Sequence, residues 1–381
     1  MNWKGTEEVD RRIFWERHGE EVKTVLVVIA GLHGNEPAGI HAVENMARTM
    51  DEVSPKLDGA IYAIKGNSQA LSEGARFLDK DLNRMWETFY SEELGSQRYN
   101  RNGAAELQEL KAIKQSLSRI FEQYSPDDHN YIFTDLHTTS SESCAFIPFN
   151  DTLANRRLAR RFPVPQILGL EEHVHGTLLS YINNLGLMAI GFEGGAHHDE
   201  MSIRRCEAFL WLVLYYNRMA DLSPEKVNEY ESLISSESVA PGIYYEIVHH
   251  HYVDNPDDFE MLNGFSNFDP VEKDQPVARE KGRLVRAGAD GRIFMPLYQK
   301  TGNDGFFVIR EISPFWLELS AWLRRSSIHN WLKYLPGVEQ TGRGRFRIDL
   351  EKARYLVRQI FHLLGYRVLT LDEKTLLCFR R

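Results

Sequence analysis

Cysteine is scarce in this 381-residue chain, which has only Cys144, Cys206 and Cys378. Three widely spaced cysteines make neither a disulfide framework nor a paired-cysteine zinc site, and their scarcity fits a reducing cytoplasm. The amino terminus has no apolar run of the kind found in signal peptides. The longest apolar runs, 25–32 and 209–216, are far shorter than a membrane span. The sequence therefore predicts a cytoplasmic protein that does not associate with a membrane.

Basic residues are fewer than acidic ones. The chain has 45 Lys and Arg against 54 Asp and Glu, which gives a net charge of −9. A general nucleic-acid binder needs clustered Lys and Arg, whereas here the basic residues are interspersed with acids. The charge balance thus predicts no nucleic-acid partner. It does not exclude an anionic small molecule, since a few Arg side chains can reverse the potential in one cleft.

Several enzyme motifs are also missing. The chain has no GxSxG, which removes support for a serine hydrolase, and neither GxGxxG nor GxxxxGK[ST], which removes support for nucleotide binding. The hydrophobic share of 43% and the charged share of 26% are nevertheless those of an ordinary globular protein. A chain of this length is expected to form two or three domains.

Strand-like and helix-like segments alternate over the first 220 residues. The continuous apolar run Thr24–Ala30 predicts a strand buried on both faces, and helical spacing follows over Pro37–Met50. Similar patterns predict further strands over Ala60–Ile64, Tyr131–Leu136, Cys144–Phe149 and Leu187–Phe192, and helices over Leu107–Tyr124 and Met201–Met219. This alternation predicts an α/β fold with a parallel or mixed sheet.

The composition changes at Ser232–Pro241, a Ser/Pro/Gly stretch that is typical of a linker. Short strand patterns separated by Gly, Asn and Asp follow it, and the last segment has helical spacing before a hairpin over Arg367–Leu371 and Leu376–Phe379. We therefore predict a catalytic domain over 1–235, a small β-rich domain over 238–312 and a C-terminal α+β extension over 313–381. The sequence gives no role for the extension.

Candidate metal ligands follow two of the predicted strands. His33 and Glu36 lie in a GLHGNEP loop after the first strand, and His137 ends the TDLH segment of another. Ligands gather at the carboxyl ends of strands in open α/β sheets, so the three side chains are expected to converge. Two imidazoles and a carboxylate with one position left open are typical of catalytic zinc. Asp135 either orients a ligand histidine or simply ends its strand.

Two further segments carry polar residues suited to catalysis. Glu193, flanked by glycines at a strand end, is a candidate base for activating water. In RFLDKDLNR, Arg76 could stabilise an oxyanion, and Asn83 and Arg84 could bind a carboxylate. Each motif alone is weak, because a surface loop or a solvated charge cluster would look the same.

Taken together, HGNE, Arg followed by DLNR, DLH and a strand ending in Glu-Gly resemble the succinylglutamate desuccinylase and aspartoacylase family, which is related to the zinc carboxypeptidases. The resemblance covers residues 22–310 in the same order. It implies a carboxypeptidase-like three-layer α/β/α domain with a mixed sheet, followed by a small β domain that shapes the cleft. The roles that it implies are one zinc ion held by His33, Glu36 and His137, water activation and proton transfer by Glu193, oxyanion stabilisation by Arg76, and a clamp for the substrate's α-carboxylate at Asn83 and Arg84.

The chain departs from the acyl-aspartate enzymes of that family at two places. Residues 180–193 lack the Arg that recognises a second carboxylate, and residues 299–306 lack the Tyr of the β-domain loop. The resemblance thus implies hydrolysis of an N-acyl-amino acid or a similar small carboxylate-bearing amide, without specifying an acidic acyl group.

Two alternatives stay open on the sequence alone. The same residues would serve a zinc carboxypeptidase acting on short peptides, and a non-catalytic zinc-binding interaction module would retain the ligands without hydrolysis. The sequence also leaves open a homo-oligomer, whose interface the aromatic-rich segment 315–332 could form. No role is assigned to His197, to His198 or to the run 249–251.

Overall fold

The computed structural model describes residues 12–86, 105–236, 239–353 and 357–380. The strands are β1 Ile13–His18, β2 Thr24–Ala30, β3 Ala60–Lys65, β4 Asn130–Thr139, β5 Ile147–Phe149, β6 Gln166–Leu168, β7 Met188–Ala196, β8 Tyr244–Tyr252, β9 Phe259–Met261, β10 Pro270–Val271, β11 Pro276–Glu280, β12 Arg283–Arg286, β13 Gly291–Phe294, β14 Asp304–Glu311, β15 Val338–Gly342, β16 Arg345–Asp349, β17 Tyr366–Thr370 and β18 Thr375–Arg380. The helices are α1 Ala38–Val53, α2 Ser68–Glu73, α3 Glu106–Gln123, α4 Leu153–Ala159, α5 Leu170–His173, α6 Leu178–Asn184, α7 Glu200–Tyr216, α8 Pro224–Ile234, α9 Pro314–Arg325 and α10 Val357–Leu363.

The chain divides into two compact units. Among the described residues, the first comprises 12–86, 105–145 and 176–236, and the second comprises 146–175, 239–353 and 357–380. The division into three domains that the sequence predicts stays a prediction.

A five-stranded mixed sheet forms the centre of the first unit. Its order is β1-β3-β2-β4-β7, in which β3, β2, β4 and β7 run parallel and β1 pairs antiparallel with β3. The chain passes from β2 to β3 on one side of β2 and then returns to β4 on the other side. The strand order therefore reverses at β2 and β4, and in open α/β sheets the crevice at such a reversal is the usual ligand site.

Helices cover this sheet because its strands have apolar side chains on both faces. Residues 25–30 of β2 are fully buried, as the continuous apolar run predicts. One face packs against the apolar stripe of α3, which includes Leu110, Ile113 and Leu117. On α1, Gly39 lies so near Leu136 and Ala30 that an added Cβ would come within 2.8 Å of the Leu136 side chain, so this close helix–strand approach requires glycine.

The second unit is built from antiparallel pairs with one parallel edge. Its six-stranded sheet has the order β10-β13-β14-β8-β6-β5, a three-stranded sheet has the order β12-β11-β9, and a four-stranded sheet has the order β15-β16-β18-β17. In the six-stranded sheet, β5 and β6 come from the segment 146–175 and pair parallel to each other and to β8.

The fold is a mixed α/β fold, as the sequence predicts. The strand over Thr24–Ala30 is confirmed at both ends, and the hairpin near the carboxyl end is confirmed as β17 and β18. Helix α8 was not predicted, and it occupies the first residues of the expected linker. No helix in the described part of the chain is long and apolar enough to cross a membrane.

Candidate metal centre

The structure brings His33, Glu36 and His137 together at the carboxyl edge of the first unit's sheet. One potential ligand atom from each lies within 4.8 Å of the other two, and all three side chains are buried. His33 and Glu36 lie between β2 and α1, whereas His137 lies on the neighbouring β4, whose Leu136 pairs with Ala30 of β2. The parallel pairing of β2 with β4 therefore brings two segments that are about a hundred residues apart in the sequence into one cluster.

The HGNE loop keeps its shape through close backbone packing. A Cβ on Gly34 would lie 2.1 Å from the carbonyl carbon of Ala70 and 2.4 Å from the carbonyl oxygen of Ala75, so only glycine fits. The Gly34 N–H donates to the carbonyl oxygen of Arg76 at 3.1 Å. The loop that carries two candidate ligands is thus tied to the segment that carries Arg76.

Both histidines direct their Nδ1 atoms at Glu36. Nδ1 of His33 lies 3.0 Å from Oε1, and Nδ1 of His137 lies 3.0 Å from Oε2 of the same carboxylate. The Thr138 backbone N–H donates to Oε2 at 3.0 Å. Burial alone would raise the pKa of Glu36, but the charges and hydrogen bonds of His33 and His137 hold it well below its usual value.

The opposite nitrogen of each imidazole faces an aspartate. Nε2 of His33 lies 3.0 Å from Oδ1 of Asp81, and Nε2 of His137 lies 2.8 Å from Oδ2 of Asp135. A carboxylate on the far nitrogen is the usual device that orients a metal-ligating histidine. The geometry favours the orienting interpretation of Asp135. Sequence reasoning assigned Asp81 no role, although Asp81 is the first residue of the DLNR motif.

These residues fit a zinc ion by the chemistry of their donors. Two imidazole nitrogens and a carboxylate are borderline ligands of the kind that zinc takes, and each imidazole has its second nitrogen held by an acid. Burial lowers the pKa of His137, but Asp135 and Glu36 raise it well above its usual value. Metal binding at this centre is therefore expected to compete with protonation of His137.

Glu193 is buried in β7, three residues before the strand ends, and 5% of its surface is exposed. Its Oε2 is inaccessible to solvent and has no hydrogen-bond partner among the residues that the structure describes. Burial raises its pKa to about 8, and the charges of Glu36 and Asp135 add to this effect while that of His137 opposes it. A buried carboxyl with an unpaired oxygen and a displaced pKa is the usual signature of a functional acid or base.

Arg76 lies directly beside the candidate ligands. Its Nη1 donates to Oε1 of Glu36 at 3.4 Å and its Nη2 to Oδ2 of Asp81 at 3.1 Å, while its buried Nε has no partner within the described ranges. Asn83 and Arg84 belong to the 3-10 turn Leu82–Arg84 that follows Asp81. Oδ1 of Asn83 accepts from the Leu178 N–H at 2.9 Å, which orients the amide.

His197 comes directly after β7, and its Nδ1 lies 2.8 Å from Oγ1 of Thr138. Its Nε2 is buried and has no hydrogen-bond partner in the described part of the chain. In the second unit, the neighbouring histidines His250 and His251 of β8 have different acidic partners. His250 pairs with Asp304 at 2.9 Å and His251 with Glu280 at 3.2 Å. Only His33, Glu36 and His137 form a metal-compatible group among the described residues.

The fold and the site together define an α/β protein with a buried candidate metal centre at the carboxyl ends of parallel strands. The catalytic-domain model of the succinylglutamate desuccinylase/aspartoacylase family matches residues 22–210. Over these residues, the chain matches the catalytic domain of that family, whose name denotes deacylases. The resemblance that the four motifs predict is thereby confirmed.

Two similar proteins are succinylglutamate desuccinylases. That of Pseudomonas paraeruginosa is 30% identical over 113 residues, which cover 30% of each chain. That of Pseudomonas syringae pv. tomato is 24% identical over 287 residues, which cover 72% of this chain and 78% of the relative. In the first relative, the match thus spans under a third of its length.

A solved structure supports the same fold. The succinylglutamate desuccinylase of Vibrio parahaemolyticus superposes with a TM-score of 0.55 at 17% identity, and the match covers 77% of this chain and 83% of that one. At this identity, the likeness establishes a shared mixed α/β fold.

Proposed function

We propose that this chain is a zinc-dependent hydrolase that cleaves the amide bond of an N-acyl-amino acid or a similar small carboxylate-bearing amide. The observation that carries the proposal is the buried cluster of His33, Glu36 and His137 with Glu193 on the adjacent strand. A structural metal site would need neither a carboxyl with an unpaired buried oxygen nor an arginine at its ligands.

The zinc ion would be held by His33, Glu36 and His137, one ion per chain. When bound, zinc supplies Lewis acidity, which lowers the pKa of water and polarises an amide carbonyl. Asp81 and Asp135 keep the two imidazoles in the orientation and tautomer that binding needs.

Glu193 acts as general base and then as general acid. Its carboxylate takes a proton from the attacking water and returns the proton to the departing nitrogen. Burial suits both steps, because it raises the pKa of the Glu193 carboxyl toward the pH at which the enzyme works. The pairing of Glu193 with His137 on adjacent strands supports this role.

Arg76 stabilises the negative charge that develops on the carbonyl oxygen. Its guanidinium is already oriented by Glu36 and Asp81, so little reorganisation is required during the reaction. Asn83 and Arg84 bind the substrate's carboxylate. Oδ1 of Asn83 is engaged by the backbone, which leaves its Nδ2 as the donor for substrate.

The proposal extends to the architecture. We propose a carboxypeptidase-like three-layer α/β/α catalytic domain, a small β-rich domain over 238–312 and an α+β extension over 313–381. The packing of α3 on one face of the mixed sheet and the close approach of α1 to Leu136 and Ala30 support the layered arrangement. The cytoplasmic location predicted from the sequence belongs to the same proposal.

A hydrolysis screen with zinc-loaded protein tests the function. The panel contains N-acetyl, longer neutral N-acyl and N-succinyl amino acids, together with peptides that have free carboxyl termini. We expect release of the free amino acid from at least one acyl-amino acid. Cleavage of the peptides alone would identify a carboxypeptidase, and zinc binding without turnover of any compound would identify a non-catalytic module.

A further inference from the structure

Glu106 is a fully buried carboxylate to which the reaction described above gives no role. It is the first residue of α3, and none of its surface is exposed. Its partners are four N–H groups. Oε1 accepts from the Leu78 N–H at 2.7 Å and from Nδ2 of Asn67 at 3.2 Å, while Oε2 accepts from the N–H groups of Asp79 and Lys80 at 3.2 and 3.1 Å. Four donors match the four lone-pair sites of a carboxylate.

Three of these donors are consecutive backbone N–H groups, those of residues 78–80. Successive N–H groups turned inward form a concave site for an anion, and here the anion is a side chain of the same protein. The contact is reciprocal, because the Asp79 carboxylate accepts the N–H of Ala105 at 2.7 Å, just before α3. The segment 78–80 and the first turn of α3 are therefore held to each other from both sides.

This segment lies between two residues that contact the candidate ligands. Arg76 precedes it and donates to Glu36 and Asp81, and Asp81 follows it and lies 3.0 Å from Nε2 of His33. Fixing the backbone of 78–80 restricts both neighbours, since Lys80 is bonded directly to Asp81 and one residue separates Leu78 from Arg76.

We propose that Glu106 is a positioning residue of the metal centre. Its carboxylate fixes the backbone of 78–80, and through that backbone it aims Arg76 at the reacting carbonyl and Asp81 at His33. The inference rests on the proposed function for the role of Arg76, but the part that concerns Asp81 and His33 requires only a metal site. Glu106 itself touches neither substrate nor metal.

Glu109 offers a matched control on the same helix. It is 1% exposed, and its carboxylate accepts the Ser68 N–H at 2.9 Å and pairs with Arg12. It lies nearly one turn from Glu106 and holds the first residue of α2 instead of the segment 78–80. Glu109→Gln therefore removes a buried charge of similar depth without touching the backbone next to Arg76.

The test compares Glu106→Gln with Glu109→Gln by three measurements. These are amide hydrogen exchange of residues 78–80, the dissociation constant for zinc alone, and kcat and KM for the best substrate of the wild type. In Glu106→Gln, an amide NH2 replaces one acceptor that faces backbone donors. We expect faster exchange at 78–80, zinc binding weakened by about 10- to 100-fold, and a loss in kcat larger than any change in KM. Glu109→Gln should show none of these three effects.

A double variant separates positioning from a general loss of stability. If Glu106 acts partly through Arg76, then Glu106→Gln combined with Arg76→Ala loses less kcat than the product of the two single losses. Equal exchange, zinc affinity and kcat in Glu106→Gln and Glu109→Gln would overturn the proposal, as would fully multiplicative losses.

Should Glu106→Gln not fold, Glu106→Asp is the alternative variant, which keeps the charge and withdraws it by one methylene. Smaller changes of the same kind are then expected, and wild-type values would overturn the proposal.

The two proposals fail in distinguishable ways. If the wild type hydrolyses no member of the panel, the proposed function is wrong, yet zinc affinity and amide exchange still decide the role of Glu106. If the wild type is active and Glu106→Gln matches the control, only the positioning role is wrong.

Discussion

Glu193 stands directly opposite His137 in the parallel pairing of β7 with β4. A candidate ligand and the candidate base therefore occupy equivalent positions on neighbouring strands, on the same face of the sheet. Their separation is set by the backbone hydrogen-bond ladder and not by a flexible loop. A site built on strands in this way keeps its geometry when the surrounding loops move.

The first prediction concerns the base. Glu193→Gln keeps the shape of the side chain but cannot take a proton, so kcat should fall by about 10²- to 10⁴-fold while zinc content stays at one per chain. The check is steady-state kinetics together with metal analysis. Glu122→Gln, on the exposed surface of α3, is the control and should retain full activity. Turnover by Glu193→Gln at the wild-type rate would exclude the proposed role.

The second prediction concerns the ligands. His33→Ala and His137→Ala should each lose stoichiometric zinc, because removal of one of three protein ligands leaves too few donors. His41→Ala, which removes an exposed histidine of α1, should bind zinc like the wild type. A chelator should abolish the activity of the wild type, and added zinc should restore it. Full zinc occupancy in His137→Ala would show that another ligand set holds the metal.

The third prediction concerns Asp81, whose importance only the structure reveals. Asp81→Asn should weaken zinc binding by about 10- to 100-fold, since Nε2 of His33 loses its charged partner. Asp127→Asn is the control, because Asp127 lies on the exposed surface just before β4, whereas His137 lies near the far end of that strand. Competition with a metal-binding dye gives the dissociation constants, and identical values for the two variants would refute an orienting role.

The fourth prediction follows from the raised pKa of Glu193 in the metal-free protein. Burial raises that pKa to about 8, whereas an unfolded chain has about 4.3. Between these values, the folded state holds a proton that the unfolded state releases, so the contribution of Glu193 to the free energy of unfolding falls as the pH rises. The Glu193→Gln variant has no carboxyl group at this position, so its free energy of unfolding does not fall with pH for this reason. Its melting temperature relative to the wild type should therefore increase from pH 5 to pH 8, and a constant difference would contradict the raised pKa.

The fifth prediction concerns the acyl group. Residues 180–193 contain no arginine to pair with a second carboxylate, and an unpaired carboxylate is costly to bury. N-acetyl or longer neutral acyl-amino acids should therefore exceed N-succinyl-glutamate in kcat/KM by about tenfold or more. Asn83→Ala should raise KM for substrates with a free α-carboxylate but not for their carboxamides. A preference for the succinyl compound would show that another cation replaces the missing arginine.

The sequence alone determined the parallel strands of the first unit, its helices α1, α3 and α7, and the types of residue at its carboxyl edge. β2 was predictable because a strand buried on both faces must be apolar throughout, and the ligand motifs were predictable because polar residues directly follow such strands. The family could also be identified, since four short motifs in a fixed order are specific where each one is not. The site roles of Glu193, Arg76, Asn83 and Arg84 remain predictions to be tested by substitution.

The tertiary structure decided what local patterns cannot encode. Local sequence assigns neither Asp79 nor Asp81 a role, and only the fold turns Asp81 toward His33 and Asp79 toward Ala105. Glu106 looks like an ordinary acidic residue in the first turn of a helix, yet its carboxylate is enclosed by the backbone of 78–80. The reason is physical: a polar residue's role depends on which donors and charges surround it once water is removed. Chain segments distant in sequence supply those neighbours.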